Sequence, residues 1–330
     1  MMKIKKIYNN LCWKFPAIRR LKNSLDVKSK YQQKKAIQRT TDLSVNQLEQ
    51  LSHDFPVYTT EYFSANCWYG NNFAVKKILN INKNEPLKGV IEHGLYFGRL
   101  KSDSEMNYNS FKRVYTYSDY RKNALMEQGF SEDHVVVVGP YILGAPLQLS
   151  VDQLKLEKKK NGKTLLVFPS HSTEDILVNF DGITLIDSIE KIKYEHGFQF
   201  VLVCMYYKDI RERRHLKYLE KNYSVVTAGH KYDPNFLGRL RHIINLSDMT
   251  MSNSLGTHLG YCVALHRPHY LFLQDQEWEG RAPSQVDGFD QEYYRQLNLE
   301  KAELSEYFGK YSEIISPAQV EIVHKYWGPF

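Results

Sequence analysis

The residues best suited to bind a ligand lie in one run, Met249-Thr250-Met251-Ser252-Asn253-Ser254-Leu255-Gly256-Thr257-His258-Leu259-Gly260. An apolar run, Ile243 to Leu246, and a strand-like piece, Met249 to Met251, lead into a cluster of small hydroxyl, amide and glycine residues. The segment Leu259 to Leu265 is helix-compatible, and Arg267 to Phe272 reads as the next strand. A polar, glycine-containing turn between a strand and a helix presents free backbone N–H groups and the positive end of a helix dipole. Such a turn suits a phosphate. It points to a nucleotide-type ligand without a P-loop or a G-x-G-x-x-G signature. Ser252, Asn253, Ser254, Gly256, Thr257 and His258 are the candidate contacts.

In open α/β sheets ligands sit beyond the carboxyl ends of the strands, so the polar residues just after each apolar run are the other candidates. Glu92-His93-Gly94 follows Gly89-Val90-Ile91. A histidine there titrates near working pH and could act as general base on an acceptor hydroxyl. It could equally be hydrogen-bonded inside a turn. Glu92 could orient His93, or be a buried, paired side chain. Ser170-His171-Ser172-Thr173 offers hydroxyls and N–H groups at an expected helix start, as an anion site or as plain capping. Lys208 would bring a cation to another strand end, or open a helix in solvent. His230, in the loop Gly229 to Asn235, could contact a base or ribose, or belong to a turn.

Several chemistries are excluded. His171, His230 and His258 show neither H-x-x-x-H nor H-E-x-x-H spacing, so no metal is expected. There is no G-x-S-x-G elbow for a serine hydrolase. The four cysteines, Cys12, Cys67, Cys204 and Cys262, form no C-x-x-C pair. That argues against a zinc site or a disulfide framework and suits a reducing cytoplasm. No run is long enough to span a bilayer, and there is no apolar signal-peptide core.

The net charge is +7, but residues 1–40 hold 12 Lys and Arg against one acid, Asp26, leaving 32 basic and 36 acidic residues in the remainder. The basicity belongs to an N-terminal arm. A nucleic-acid-binding body would show its own basic face, so nucleic acid is not an expected partner. In the arm, Ile4, Tyr8, Leu11, Phe15, Ile18, Leu21 and Leu25 recur at steps of three or four, with lysines and arginines between them. This is a basic amphipathic helix, split near Pro16. It fits an anionic membrane surface, a helix packed on the body, or an acidic partner.

A hydrophobic content of 42% and a charged content of 25% are those of an ordinary globular protein, with room for two domains. Ser44 to Ser52 reads as a short helix and Asn66 to Ile81 as a longer one. Strands are expected at Gly89 to Ile91, Arg113 to Tyr117 and Val135 to Val138, with a helix from its Ser118 cap to about Gln128. Residues 142–163, with Gly144, Pro146 and the charged run Lys155 to Lys163, read as a linker. Strands at Thr164 to Phe168, Phe200 to Met205 and Val225 to Thr227 then alternate with helices at Thr184 to Tyr194, Lys208 to Lys221 and Asn235 to Leu246. Asp290 to Phe308 and Pro317 to Trp327 read as helices. Such alternation indicates βαβ units and an α/β fold of two Rossmann-like domains with parallel sheets.

Two such halves, a linker and a Ser/Gly-rich loop in the second half resemble the GT-B class of glycosyltransferases. The motifs Ile91-Glu92-His93-Gly94, Val138-Gly139-Pro140-Tyr141-Ile142, Phe168-Pro169-Ser170-His171-Ser172 and Ser252-Asn253-Ser254-Leu255-Gly256-Thr257-His258 resemble those of transferases from bacterial capsule and O-antigen gene clusters. The resemblance covers about residues 60 to 280 and rests on the order of short motifs. The chain then divides into the basic arm over 1–40, the acceptor-side domain over 41–150 and the nucleotide-sugar domain over 151–280 that the resemblance implies, and C-terminal helices over 281–330 packing back across the domains.

The resemblance further implies inverting transfer from a nucleotide-activated sugar to a lipid-linked or growing glycan. It implies no metal and no cofactor, because helix N-termini and side chains neutralise the diphosphate. Ser252, Ser254, Gly256 and Thr257 would hold the donor phosphate, Ser170 to Thr173 would lie opposite, and His93 would be the base. The expected location is cytoplasmic, at the inner face of the membrane. One departure is that Tyr261, preceded by Gly260, stands where many of these enzymes carry an acid that clamps the donor ribose. Transfer of a polyol phosphate from a CDP-activated donor, sugar-nucleotide epimerisation, and a non-catalytic role in a polysaccharide assembly complex are the alternatives.

Overall fold

The computed structural model describes Leu11 and residues 15–98, 111–173, 176–280 and 291–330. Residues 1–10 and 12–14 of the expected arm, and Asp290, lie outside the described residues. Two parallel sheets organise the chain, so the α/β expectation holds. The first contains β1 (Val90–Ile91), β2 (Val114–Thr116) and β3 (Val135–Val137), in that order. Ser118 caps the helix Asp119–Glu127 as expected, its hydroxyl accepting from Arg121 N at 3.3 Å.

The second sheet is built from β4 (Thr164–Phe168), β6 (Phe200–Cys204), β7 (Ser224–Val226), β8 (Met249–Ser252) and β9 (His269–Leu271). Between β4 and β6 the chain makes β5 (Ile176–Asn179), and after β9 it makes β10 (Glu277–Gly280). The five parallel strands lie in the order β7-β6-β4-β8-β9. All five β4 residues are buried, as a strand covered on both faces requires. The chain winds to one side of β4 through β6 and β7, then to the other through β8 and β9. The order therefore reverses between β4 and β8, and a doubly wound sheet opens its ligand crevice at such a reversal.

Four local expectations are corrected. The helix expected over Asn66 to Ile81 is interrupted, because Trp68 is extended (φ −60°, ψ 136°) and Tyr69 is left-handed (φ 60°). Tyr69 N donates to Lys231 O at 2.6 Å, so a partner from the second half replaces the helical bond, and the α-helix runs only over Asn71–Ile78. The expected linker 142–163 contains the helix Val151–Asn161, started by a reciprocal Ser150–Gln153 capping box. The helix expected over Lys208 to Lys221 splits into Tyr207–Arg211 and Leu216–Leu219, with Arg213 left-handed between them. Ser170 to Thr173 does not open a helix. It leads to β5, which pairs antiparallel with β10 about a hundred residues away, a partnership that short-range pattern does not reveal.

One apolar core joins the sheets, uniting Ile91, Tyr117 and Tyr141 with Leu166, Val226 and Leu259. The helix Pro317–Trp327 sits at this junction. The Trp327 ring lies 5.8 Å from Phe97, and its Nε1 donates to Thr257 O at 3.0 Å. Gly260, in the helix Thr257–Ala264, leaves room for that indole, since a Cβ at 260 would stand 2.2 Å from Trp327 Cδ2. The substitution Gly260→Ala is expected to destabilise the protein by about 1–3 kcal/mol through overpacking. Denaturant unfolding measures this, and an unchanged midpoint would contradict the Trp327 packing.

Candidate functional site

The crevice begins where β4 and β8 end, with Phe168 and Ser252 as register partners. The loops beyond them are tied together. Asn253 Oδ1 accepts from Ser170 N at 2.7 Å and from Ser170 Oγ at 2.9 Å, while Asn253 Nδ2 donates to Gln274 Oε1 at 2.9 Å. Ser172 Oγ donates to Asp209 Oδ1 at 2.8 Å, and its N–H donates to Oδ2 at 3.1 Å. Lys208 Nζ donates to Thr173 O. The side chains of Ser170, Ser172 and Asn253 are thus occupied in framing the crevice.

Beyond Ser252 the helix Thr257–Ala264 starts from Gly256, which supplies no side-chain cap. Leu259 N donates to Gly256 O at 3.2 Å, which leaves the N–H groups of Thr257 and His258 at the helix start without a side-chain cap from the N-cap residue. A Cβ at 256 would stand 2.7 Å from the His258 ring, so glycine lets that ring fold over the helix start. His258 stacks on Phe168 with centroids 4.9 Å apart. Its Nε2 is shut off from solvent and has no hydrogen-bond partner among the described residues. Burial, with the neighbouring His171 adding to it, pulls its pKa down to about 3, so the ring is neutral near pH 7. Beneath it His269 is buried, its Nδ1 2.8 Å from Thr250 Oγ1 and its Nε2 3.0 Å from Ser252 Oγ. Ser252 Oγ also donates to Ser254 O at 2.9 Å, which fixes the turn.

His93 comes from the other sheet. It follows β1, half-buried, with the Tyr96 hydroxyl 3.0 Å from Nδ1 and 3.2 Å from Nε2. The Trp68 ring stands edge-on at 4.7 Å. Asn71 Nδ2 donates to His93 O at 3.3 Å. The turn after His93 reaches the second half directly, for Leu95 N donates to Thr257 Oγ1 at 2.9 Å. His93 and the uncapped helix start are therefore held on either side of one contact.

Glu92 does not share that setting. Its carboxylate is fully buried, paired with Arg121 at 2.8 Å and accepting from Thr116 Oγ1 at 2.5 Å. Tyr261 reaches back from the second half to Tyr117, hydroxyl to hydroxyl at 2.9 Å, and Tyr117 stacks on Tyr141 at 4.1 Å. Burial pushes all three phenols above their usual range, so they are neutral hydrogen-bonding groups.

A chain of ring contacts runs from one half to the other, with Tyr207 and His230 buried within it. Successive contacts run from His93 to Trp68 at 4.7 Å, to Tyr232 at 6.4 Å and to His230 at 5.4 Å. They continue to Tyr207 at 4.2 Å, Tyr206 at 4.5 Å and His171 at 4.9 Å. Lys231 Nζ sits 4.8 Å over Trp68. His93, His230 and His171 are thus linked by one chain of ring contacts, but His230 is buried with Nδ1 accepting from Tyr232 N at 3.2 Å, His171 neighbours His258, and Glu92 stays in its own buried pair. Trp68 and Tyr96 do not directly follow a strand, so their position in the sequence does not mark them. The one signal for Trp68 is Gly70, whose left-handed φ of 75° marks the helix break. Tyr96 lies three residues past His93, beyond the turn itself. Among the described residues no group of three or more His, Cys, Asp or Glu could hold a metal ion.

The buried histidines make stability pH-dependent. Burial and nearby His258 hold His269 well below the usual range, and His258 itself is lowered. Both pKa values lie below that of the unfolded chain, about 6.5. The unfolded state then binds more protons in acid, and the stabilisation present above that value is lost as pH falls toward the folded pKa. Between about pH 6.5 and 5, where most carboxylates stay ionised, stability should fall by up to roughly 1.4 kcal/mol per pH unit for each histidine. The variant His258→Gln should show a shallower slope in pH-dependent unfolding, and an identical slope would contradict the neutral His258.

No family model matches the chain, and no curated protein matches it in sequence. Among solved structures it is similar to the UDP-GlcNAc 2-epimerase from Neisseria meningitidis bound to UDP-GlcNAc, at 16% identity and a TM-score of 0.36, over 67% of this chain and 62% of that one. It is also similar to the Methanocaldococcus jannaschii UDP-GlcNAc 2-epimerase in complex with UDP-GlcNAc and UDP, at 15% identity and a TM-score of 0.39, over 83% and 84%. The chain thus spans less than two thirds of the length of the first of these. At such identities and scores the likeness carries no argument about this chain.

Proposed function

We propose that the crevice binds a nucleotide-activated sugar, with its phosphate at the start of the helix Thr257–Ala264, and that the protein transfers the sugar to an acceptor hydroxyl. The observation that carries this reading is the contact between Leu95 N and Thr257 Oγ1, which sets the His93 turn beside the uncapped N–H groups of that helix. An anion gains both from those donors and from the helix dipole. The neutral His258, with its unsatisfied Nε2, adds a polar atom at the same place without adding charge.

In this reading His93 removes the proton of the acceptor hydroxyl as that oxygen attacks the anomeric carbon. The bond from that carbon to the donor phosphate breaks, and the leaving phosphate takes its electron pair onto the helix start. Tyr96 holds the imidazole by hydrogen bonding, and Trp68 packs against it. Of these rings Trp68, Tyr206, Tyr232 and His171 keep some exposure, and their faces suit stacking with a base or a sugar ring. Glu92 supports this arrangement from a distance by pinning the end of β1 to Arg121. Epimerisation of the donor sugar uses the same phosphate site but needs no acceptor, which separates it from transfer experimentally.

Titration calorimetry against UDP, GDP, CDP, dTDP and CMP, with and without magnesium, should show binding of one nucleotide that does not need the metal. The variant His93→Asn should keep that binding while turnover of the matching sugar nucleotide falls by roughly 10²- to 10⁴-fold, the usual contribution of a general base. Binding of none of the nucleotides would sink the proposal. Undiminished turnover in His93→Asn would remove His93 from the chemistry, and sugar conversion without any acceptor would establish epimerisation instead.

A further inference from the structure

The helix Pro16–Leu25 rests on the protein by its polar side. Asn23 Nδ2 donates to Thr59 O at 3.2 Å, and the Arg20 guanidinium lies 5.7 Å from the centre of the Tyr62 ring. At 3.6 residues per turn, Arg20 and Asn23 project away from Ile18, Leu21 and Leu25. Those three are 40%, 63% and 72% exposed, and Phe15, just before the helix, is 57% exposed. This inverts the usual arrangement, in which the apolar stripe of a surface helix faces the core.

The next helix, Val27–Thr41, extends the pattern. It buries Ala36 and Thr40 against the body and leaves Val27 72% and Tyr31 58% exposed. Lys28, Lys30, Lys34 and Lys35 are exposed around them. Asp26 is the one acid between residues 15 and 41, and its carboxylate caps the helix by accepting from Ser29 N at 2.9 Å.

We propose that this outward face, from Phe15 to Lys35, docks on an anionic lipid surface. Leucine, isoleucine and valine side chains enter the headgroup–acyl boundary, while the lysines meet the phosphates. Exposed apolar side chains alone would also suit a second copy of this chain. A symmetric pairing through this face would set lysines against lysines, whereas anionic headgroups complement them. No described helix is long and apolar enough to cross a membrane, so the contact is one of lying on the surface.

The test is co-sedimentation of the full chain with phosphatidylcholine vesicles, with and without phosphatidylglycerol. Binding should need the anionic lipid and weaken as salt rises. The double variant Leu21→Gln/Leu25→Gln should bind at least about tenfold more weakly, given the apolar area withdrawn from the lipid. The triple variant Lys28→Gln/Lys34→Gln/Lys35→Gln should lose roughly fivefold per lysine. Both change exposed side chains, so unfolding temperature and nucleotide binding should stay as in the parent chain. Equal binding to both vesicle types, or no binding to either, would overturn the proposal. So would light scattering that shows a dimer of the parent chain dispersed by Leu21→Gln/Leu25→Gln, which would make the face an interface between copies.

Discussion

Thr257 joins three separate parts of the chain. Its hydroxyl accepts from Leu95 N of the β1 turn, its carbonyl accepts from Trp327 Nε1 of the last helix, and its own N–H belongs to the uncapped start of the helix after β8. The two halves depend on this meeting, because the contact that brings His93 near the crevice also orients the helix that defines it. Gly260 and Trp327 fill the space behind, and Tyr261 and Tyr117 tie the halves a turn further along. A bond of this kind is worth little alone, about 0.5–1.5 kcal/mol net. Its effect here is directional, since the surrounding core already supplies the burial.

Buried ion pairs set the loops around that centre. Glu92 with Arg121 holds the end of β1, Glu61 with Lys76 supports the helix Asn71–Ile78, and Asp233 with Arg239 braces the loop that carries His230 and Tyr232. Each pair is almost wholly withdrawn from solvent. Such pairs add little net stability over an apolar replacement, but losing one partner leaves an uncompensated charge. Their use here is geometric. Arg239 also donates to Ala228 O and to Thr40 O, so one guanidinium links the second sheet, the His230 loop and the N-terminal helices.

Much of the scaffold was legible from the sequence. Apolar runs bounded by turn residues locate β4 to the residue and most other strands to within one or two. The cluster Ser252 to His258 does sit at the reversal of strand order. The parts that were not legible depend on distant partners. Tyr69 leaves a helical pattern because Lys231 offers its carbonyl, and β5 exists because β10 lies alongside it. The division between framing and available polar groups was equally hidden. Ser170, Ser172 and Asn253 look like ligand contacts in sequence, yet their side chains are consumed by Asn253–Ser170, Ser172–Asp209 and Asn253–Gln274 bonds. Glu92 stands beside His93 in sequence but answers to Arg121 in space.

The most direct measurement is a crystal structure of the protein with the nucleoside diphosphate that binds it most tightly. The terminal phosphate should lie within hydrogen-bonding distance of the first N–H groups of the helix Thr257–Ala264, with His258 Nε2 acquiring a polar partner. A diphosphate bound away from that helix start, with His258 still unpartnered, would contradict that placement.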